Sequence, residues 1–166
     1  SAMIGLSLAS FGISIAVVQG LFIRHIIPKL GERKTIVFGL IFNISVFLVL
    51  GFITSAFWAF LLAPVSALGA IVIPAMRGIM ANKAEDNQQG EVQGIVASTQ
   101  SLAVIFAPLV LTYVFYASTR PESSFNLPGA PFLFSAAIVS LSLAIFVTRR
   151  KAASVKESRT ISLQNA

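Results

Sequence analysis

Cysteine is absent from the 166 residues, so neither a disulfide nor a thiolate nucleophile or metal ligand is available. There is a single histidine, His25. Charged residues make up only 11% of the chain, where a soluble domain carries about 25%. Four long stretches hold no charge at all: residues 1–23, Thr35 to Met76, Val92 to Thr119 and Ser123 to Thr148. No G-x-x-x-x-G-K phosphate loop occurs, and no pair of carboxylates lies inside an apolar run. General acid–base and nucleophilic chemistry therefore have no carrier. The expectation is a protein that is no enzyme, with no catalytic residue, no metal and no cofactor.

Apolar residues are in excess, at 56% with a mean hydropathy of +0.87. A core the size of this chain cannot hide that much apolar surface, so the solvent must be lipid. The net charge is +6. The basic residues stand beside apolar runs, which is a pattern of membrane orientation. The expected surroundings are a lipid bilayer, with no nucleic acid.

Residues 1–23 suffice for one crossing of a bilayer core of ~30 Å. No basic segment precedes them, and the run is too long for the apolar part of a signal peptide. The chain reads as cut from something longer or as a truncated gene product, and Ser1-Ala2-Met3 also fits a cloning scar. Gly5, Ala9, Gly12, Ala16 and Gly20 recur at steps of three and four. That places small residues on one face, where another helix can approach closely. Gln19 fits either a packing hydrogen bond or a cavity position. Pro28 should end or kink this helix, and Gly31 permits a tight turn. His25 reads as an interfacial residue and not a proton carrier.

The uncharged run from Thr35 to Met76 would span ~63 Å as one straight helix, about twice the membrane core. It must fold back, most simply at Gly51-Phe-Ile-Thr-Ser55, with Trp58 marking the interface. Asn43 is expected to bridge helices by a hydrogen bond. Pro64 and Pro74 should bend the third helix, where neighbours can satisfy the freed carbonyls. The fourth helix begins around Gln89–Gly94, and Tyr113 and Tyr116 lie near its far end as an aromatic belt would. On it, Gln93, Ala97, Gln100, Ser101, Val104 and Pro108 share one face by helical spacing. Pro131 opens the fifth helix, which is uniformly apolar and suits a lipid-facing periphery.

The expected fold is thus an all-α integral membrane bundle over residues 1–151. Its five transmembrane helices fall at about 2–27, 35–53, 56–80, 92–117 and 130–148. A disordered cytoplasmic tail follows over 152–166. In this five-span arrangement every basic residue except Arg120 falls on one side. The positive-inside rule then puts the N-terminus outside and the C-terminus in the cytoplasm, in an inner (plasma) membrane.

The stretch from Pro74 to Gly94 reads P-A-M-R-G-I-M and then N-Q-Q-G-E-V-Q-G. Its small and amide residues resemble the link between the tenth and eleventh helices of tetracycline-type drug/proton antiporters of the major facilitator superfamily. Arg77, Gln89, Gly90 and Gly94 stand in that loop motif. Gly31 and Arg33 resemble the later glycine and last basic residue of the superfamily's loop signature. Pro28 takes the place of its Asp, and Arg24 that of its first Gly. Ala103 and Ala107-Pro108 are similar to a worn G-x-x-x-G-P. Gly5 to Gly12, with Gln19, resembles the eighth helix.

The resemblance implies helices eight to twelve of a twelve-helix transporter, a partial major facilitator fold whose C-terminal bundle lacks its first helix. It further implies the missing N-terminal helices as partners, a small-molecule substrate, and protons as the coupling ion. By the same likeness the first, third and fourth helices face substrate, with Gln19, Gln93, Gln100 and Ser101 as cavity residues. Ile15 stands where tetracycline transporters are expected to carry a histidine. No acid or base is expected deep in any span, so a coupling acid would have to lie in the missing half. A non-transporting membrane scaffold, or a sugar or metabolite transporter, is the alternative.

Overall fold

The computed structural model describes residues 2–53, 55–85, 87–120 and 127–164, and among them all regular structure is helical. The first crossing is α1, Ala2–Val17, followed by a π-helical turn at Val18–Phe22 and α2, Ile23–Leu30. The axis bends by 48° between Leu8–Leu21 and Arg24–Leu30. The bend follows directly on the π-helical turn, a recognised cause of kinks. Pro28 lies inside α2, four residues past the break, and the helix runs on through it. It ends at Gly31, whose φ of 78° is open to glycine and costly for other residues. The Gly31 amide donates to Ile27, and its carbonyl accepts from both the amide and the hydroxyl of Thr35. One residue thereby closes α2 and opens α3.

The second crossing is α3, Glu32–Phe52, which begins a turn earlier than its uncharged run. Glu32 in its first turn complements the positive end of the helix. Ile53 and Ser55 are extended, so the chain does fold back after Gly51. The third crossing is broken into α4 (Ala56–Ser66), a 3₁₀ segment (Ala67–Ile71) and α5 (Val72–Lys83). Pro64 lies in the last turn of α4, and Pro74 in the first turn of α5, where its missing N–H is best tolerated. Together Phe57–Lys83 forms one 27-residue span. The fourth crossing is α6, Gln89–Thr119, and the fifth is α7, Ala130–Gln164, of which Ala130–Arg149 is apolar enough to span.

The helix of α7 continues through residues 152–164, where the sequence reading expects a disordered tail. That segment is rich in good helix formers, Ala152, Ala153, Lys156, Glu157, Arg159 and Leu163, and contains neither Gly nor Pro to interrupt a helix already started.

The packed centre is α3, which lies against α7, α5 and the 3₁₀ segment. Ile36, Val72 and Ala75 form the buried core, with Ile27, Leu40, Ile79 and Phe146 around it. Close approach between helices is bought by glycine. A Cβ on Gly129 would fall on the backbone carbonyl of Gly51, and Leu133 rests on Gly51 from the same side. Gly69, in the 3₁₀ segment, receives Asn43, whose amide nitrogen donates to the Gly69 carbonyl at 3.2 Å. The interhelical bond expected of Asn43 is therefore made, and it is made to a backbone oxygen.

Two faces stay open. No residue of α6 is buried. Along α1, nothing lies within 4 Å of where a Cβ would stand on Gly5, Gly12 or Gly20. The small-residue stripe of α1 thus receives no helix of this chain, contrary to the packing its spacing implies. Its serines turn inward on their own helix, Ser10 to the Leu6 carbonyl and Ser14 to that of Ser10.

Candidate functional site

The helical spacing of Ile73, Met76, Arg77 and Met80 gives α5 one apolar stripe with a single cation in it. Ile95, Val96, Thr99, Gln100 and Ala103 form the matching stripe on α6. The two stripes face each other across a groove of about 290 Å³. At one side of this groove Arg77 Nη2 donates to Gln100 Oε1 at 3.2 Å. Thr99 contributes no free donor, because its hydroxyl is turned back on the Ile95 carbonyl at 2.8 Å.

Sequence reasoning assigns Arg77 to the polar connector and Gln100 to the cavity. The structure joins them. Arg77 lies within α5, six residues before its end at Lys83, which is ~9 Å along a helix. It is the only charged side chain lining the groove. The apolar run ends at Met76, but the helix does not, and its next residue faces the groove.

The other cavity residues divide. Gln100 and Ser101 border a second, shallower groove with Ala97 and Val104, and the Ser101 hydroxyl bonds the Ala97 carbonyl. Gln93 is exposed on α6, one to two turns toward its start from Gln100. Gln19 is exposed within the π-helical turn, away from these grooves. π-turns recur at functional sites, but nothing in the contacts joins Gln19 to Gln100. Ala103 lines both the Arg77 groove and a third, apolar one of about 520 Å³ between α6 and α7, where Ala107 also lies. Pro108 sits inside α6 without ending it.

Of the loop-motif residues, Gly31 makes the turn already described, while Arg33 is exposed on the first turn of α3. Gln89 opens α6, and Gly90 and Gly94 face open space. Sequence reasoning missed a polar cluster at this end. Glu32 rests over Gly78 and accepts from the Asn82 amide at 3.0 Å, tying the start of α3 to the last turns of α5. Met76, Met80 and Thr99 were also missed, although their spacing from Arg77 and Gln100 would have found them. His25 Nδ1 donates to the Leu21 carbonyl at 2.7 Å, a bond within its own helix turn.

A bundle of four to five helices long and apolar enough to cross a membrane defines a multi-pass membrane protein. The chain belongs to the Major Facilitator Superfamily, whose sequence model matches residues 1–164. It is 34% identical to the class C tetracycline resistance protein of Escherichia coli over 116 residues, 70% of this chain and 29% of that one. With the class G tetracycline resistance protein of Vibrio anguillarum it shares 33% over 118 residues, 71% and 30% of the two chains. With hippocampus abundant transcript-like protein 1 of Homo sapiens it shares 29% over 170 residues, 93% and 34%. The chain thus spans about a third of the length of these relatives. No solved structure matches it.

Proposed function

We propose that this chain forms helices eight to twelve of a proton-coupled efflux antiporter of the inner membrane, and that its groove between α5 and α6 lies on the path of a small-molecule substrate. The carrying observation is the joined Arg77–Gln100 pair in an otherwise apolar groove on a helix, α6, with no buried residue. Ligand sites combine apolar walls with a few placed polar groups, as this groove does. The likeness to two tetracycline resistance proteins supports efflux of drugs. The open faces of α1 and α6 support N-terminal helices of the same transporter as the partner. The N-terminus then lies outside and the C-terminus in the cytoplasm. The protein carries out no catalysis.

A second reading, transport of a metabolite or sugar by the same fold, is favoured by Ile15, half-buried in α1 where the tetracycline type is expected to have histidine. The test is export by cells expressing the complete transporter that contains this chain, over tetracycline and a panel of other compounds, with and without a protonophore. Efflux that collapses with the proton gradient is the expected result. Uptake or export limited to sugars would favour the second reading, and no movement of any compound above a vector control would refute transport.

A further inference from the structure

We infer that the groove between α5 and α6 selects amphiphilic organic anions, with Arg77 as the anchor for a carboxylate and Gln100 as the residue that holds the anchor in place. The inference rests on the transport reading and names a substrate class for the same site. It begins from the polar groups on offer. The groove is walled by Ile73, Met76, Met80, Ile95, Val96 and Ala103, and Arg77 is its only charge. Among the described residues the guanidinium meets one partner, the neutral Gln100 oxygen, and no carboxylate. A guanidinium has five N–H donors in a fixed fork, so most of its capacity remains open. The amide oxygen of Gln100, the acceptor on that side chain, is turned toward Arg77 and accepts one bond from it. What remains beside the fork is the amide nitrogen of Gln100, another donor. The Thr99 hydroxyl spends its proton on Ile95. A positive charge flanked by a second donor matches an acceptor-rich anion and repels a cation.

Position strengthens the argument. Arg77 stands ~9 Å before the end of α5, beside apolar walls where a guanidinium without a counter-charge is costly. A free arginine there would turn its head toward water. The bond to Gln100 instead holds it toward α6 and across the groove. An anion with an apolar body would complete both demands, pairing with the fork and filling the apolar walls. Carboxylates take guanidinium in bidentate geometry, which lysine cannot reproduce. The groove volume of about 290 Å³ suits a body of one or two rings.

The experiment uses the complete transporter, purified and reconstituted, with three probes of one shape and different charge: 4-phenylbutyrate, 4-phenylbutyramide and 4-phenylbutylamine. Equilibrium dialysis gives binding, and flux in proteoliposomes gives transport. The expected result is carboxylate binding at least tenfold tighter than that of the amide or the amine. Arg77→Gln should bring the carboxylate down to the level of the amide. Arg77→Lys should keep a partial preference, and Gln100→Leu should weaken carboxylate binding several-fold. Equal binding of all three probes, preference for the amine, or an unchanged preference in Arg77→Gln would each overturn the inference. The amine result would mean that a carboxylate from elsewhere in the transporter already pairs with Arg77. If Arg77→Gln fails to assemble, the wild-type carboxylate-to-amide ratio and its decline in Arg77→Lys decide the matter. Vesicles of pure phosphatidylcholine and vesicles with phosphatidylglycerol separate a further source of anion. A melting temperature that rises with phosphatidylglycerol in the wild type and not in Arg77→Lys, without carboxylate preference, would assign Arg77 to a lipid phosphate instead. Carboxylate binding without flux of any compound would sustain the site and refute transport, so the two readings fail separately.

Discussion

At Asn43 a single side chain ties two helices together. The Gly69 carbonyl already accepts from the Val72 amide at the end of the 3₁₀ segment, and Asn43 adds a second donor to the same oxygen. Gly69 in turn has no room for a Cβ, because the Asn43 amide fills it. Asn43→Ala should cost on the order of 0.6–2 kcal/mol, the range for polar bonds between membrane helices. Gly69→Ala should cost about 1–3 kcal/mol by overpacking. The double variant should cost less than the sum, since removing the amide makes room for the methyl. Unfolding in mixed micelles measures all three, and strict additivity would show that the two sites do not touch. Gln100 has a similar double life. Gln100→Ala should leave expression and melting temperature near wild type, because Gln100 is exposed and bonds only one exposed side chain. It should change which compounds the complete transporter exports. A lowered melting temperature with every compound still exported would make Gln100 a packing residue.

The elements differ in what their glycines do, and their sequences alone do not say which is which. Gly51 and Gly129 let α3 and α7 touch backbone to backbone. Gly129→Leu should therefore separate the pair and lower the yield of folded protein severely, as overpacking without a rotamer escape does. Gly5→Ala and Gly12→Ala meet nothing within the chain and should leave its own helix packing intact. If the open stripe of α1 receives a helix from the rest of the transporter, Gly12→Leu should lower transport while these five spans still insert. Detergent-resistant melting of the two leucine variants tests this contrast, and a Gly12→Leu variant as unstable as Gly129→Leu would contradict it. The kink at Arg24 belongs to the same scale. A proline was legible in the sequence, but the helix runs on through it past the bend, and Gly31 three residues later, with a φ of 78°, makes the true stop.

For the whole molecule the decisive quantity is topology, and the absence of cysteine makes it easy to measure. Single Ser55→Cys and Ser123→Cys variants should react with an impermeant maleimide in intact cells. Asn87→Cys and Ser158→Cys should react only after lysis. Labelling of the second pair from outside would invert the orientation that the basic residues imply. The isolated 166-residue chain should move no compound above a vector control, because transporter sites lie between repeats and this chain supplies part of one. Transport by the chain alone would show that α1 and α6 close a path without a partner.

Composition and run lengths by themselves determined that the chain is an all-helical membrane protein. Bilayer thickness and backbone hydrogen bonding leave an apolar chain few other choices. The residues from Pro74 to Gly94 also carried the family likeness. The tertiary structure alone decided that Arg77 belongs with Gln100 and that Glu32 belongs with Gly78 and Asn82. Hydropathy ends a span at its first charge, but a helix ends only where its backbone bonds stop, so α5 carries Arg77 past the apolar run and turns it toward α6. The tertiary structure likewise decided which small residues are contacts and which are open. A stripe at steps of three and four marks a face that permits close approach, and only the placement of neighbouring helices says whether anything approaches it.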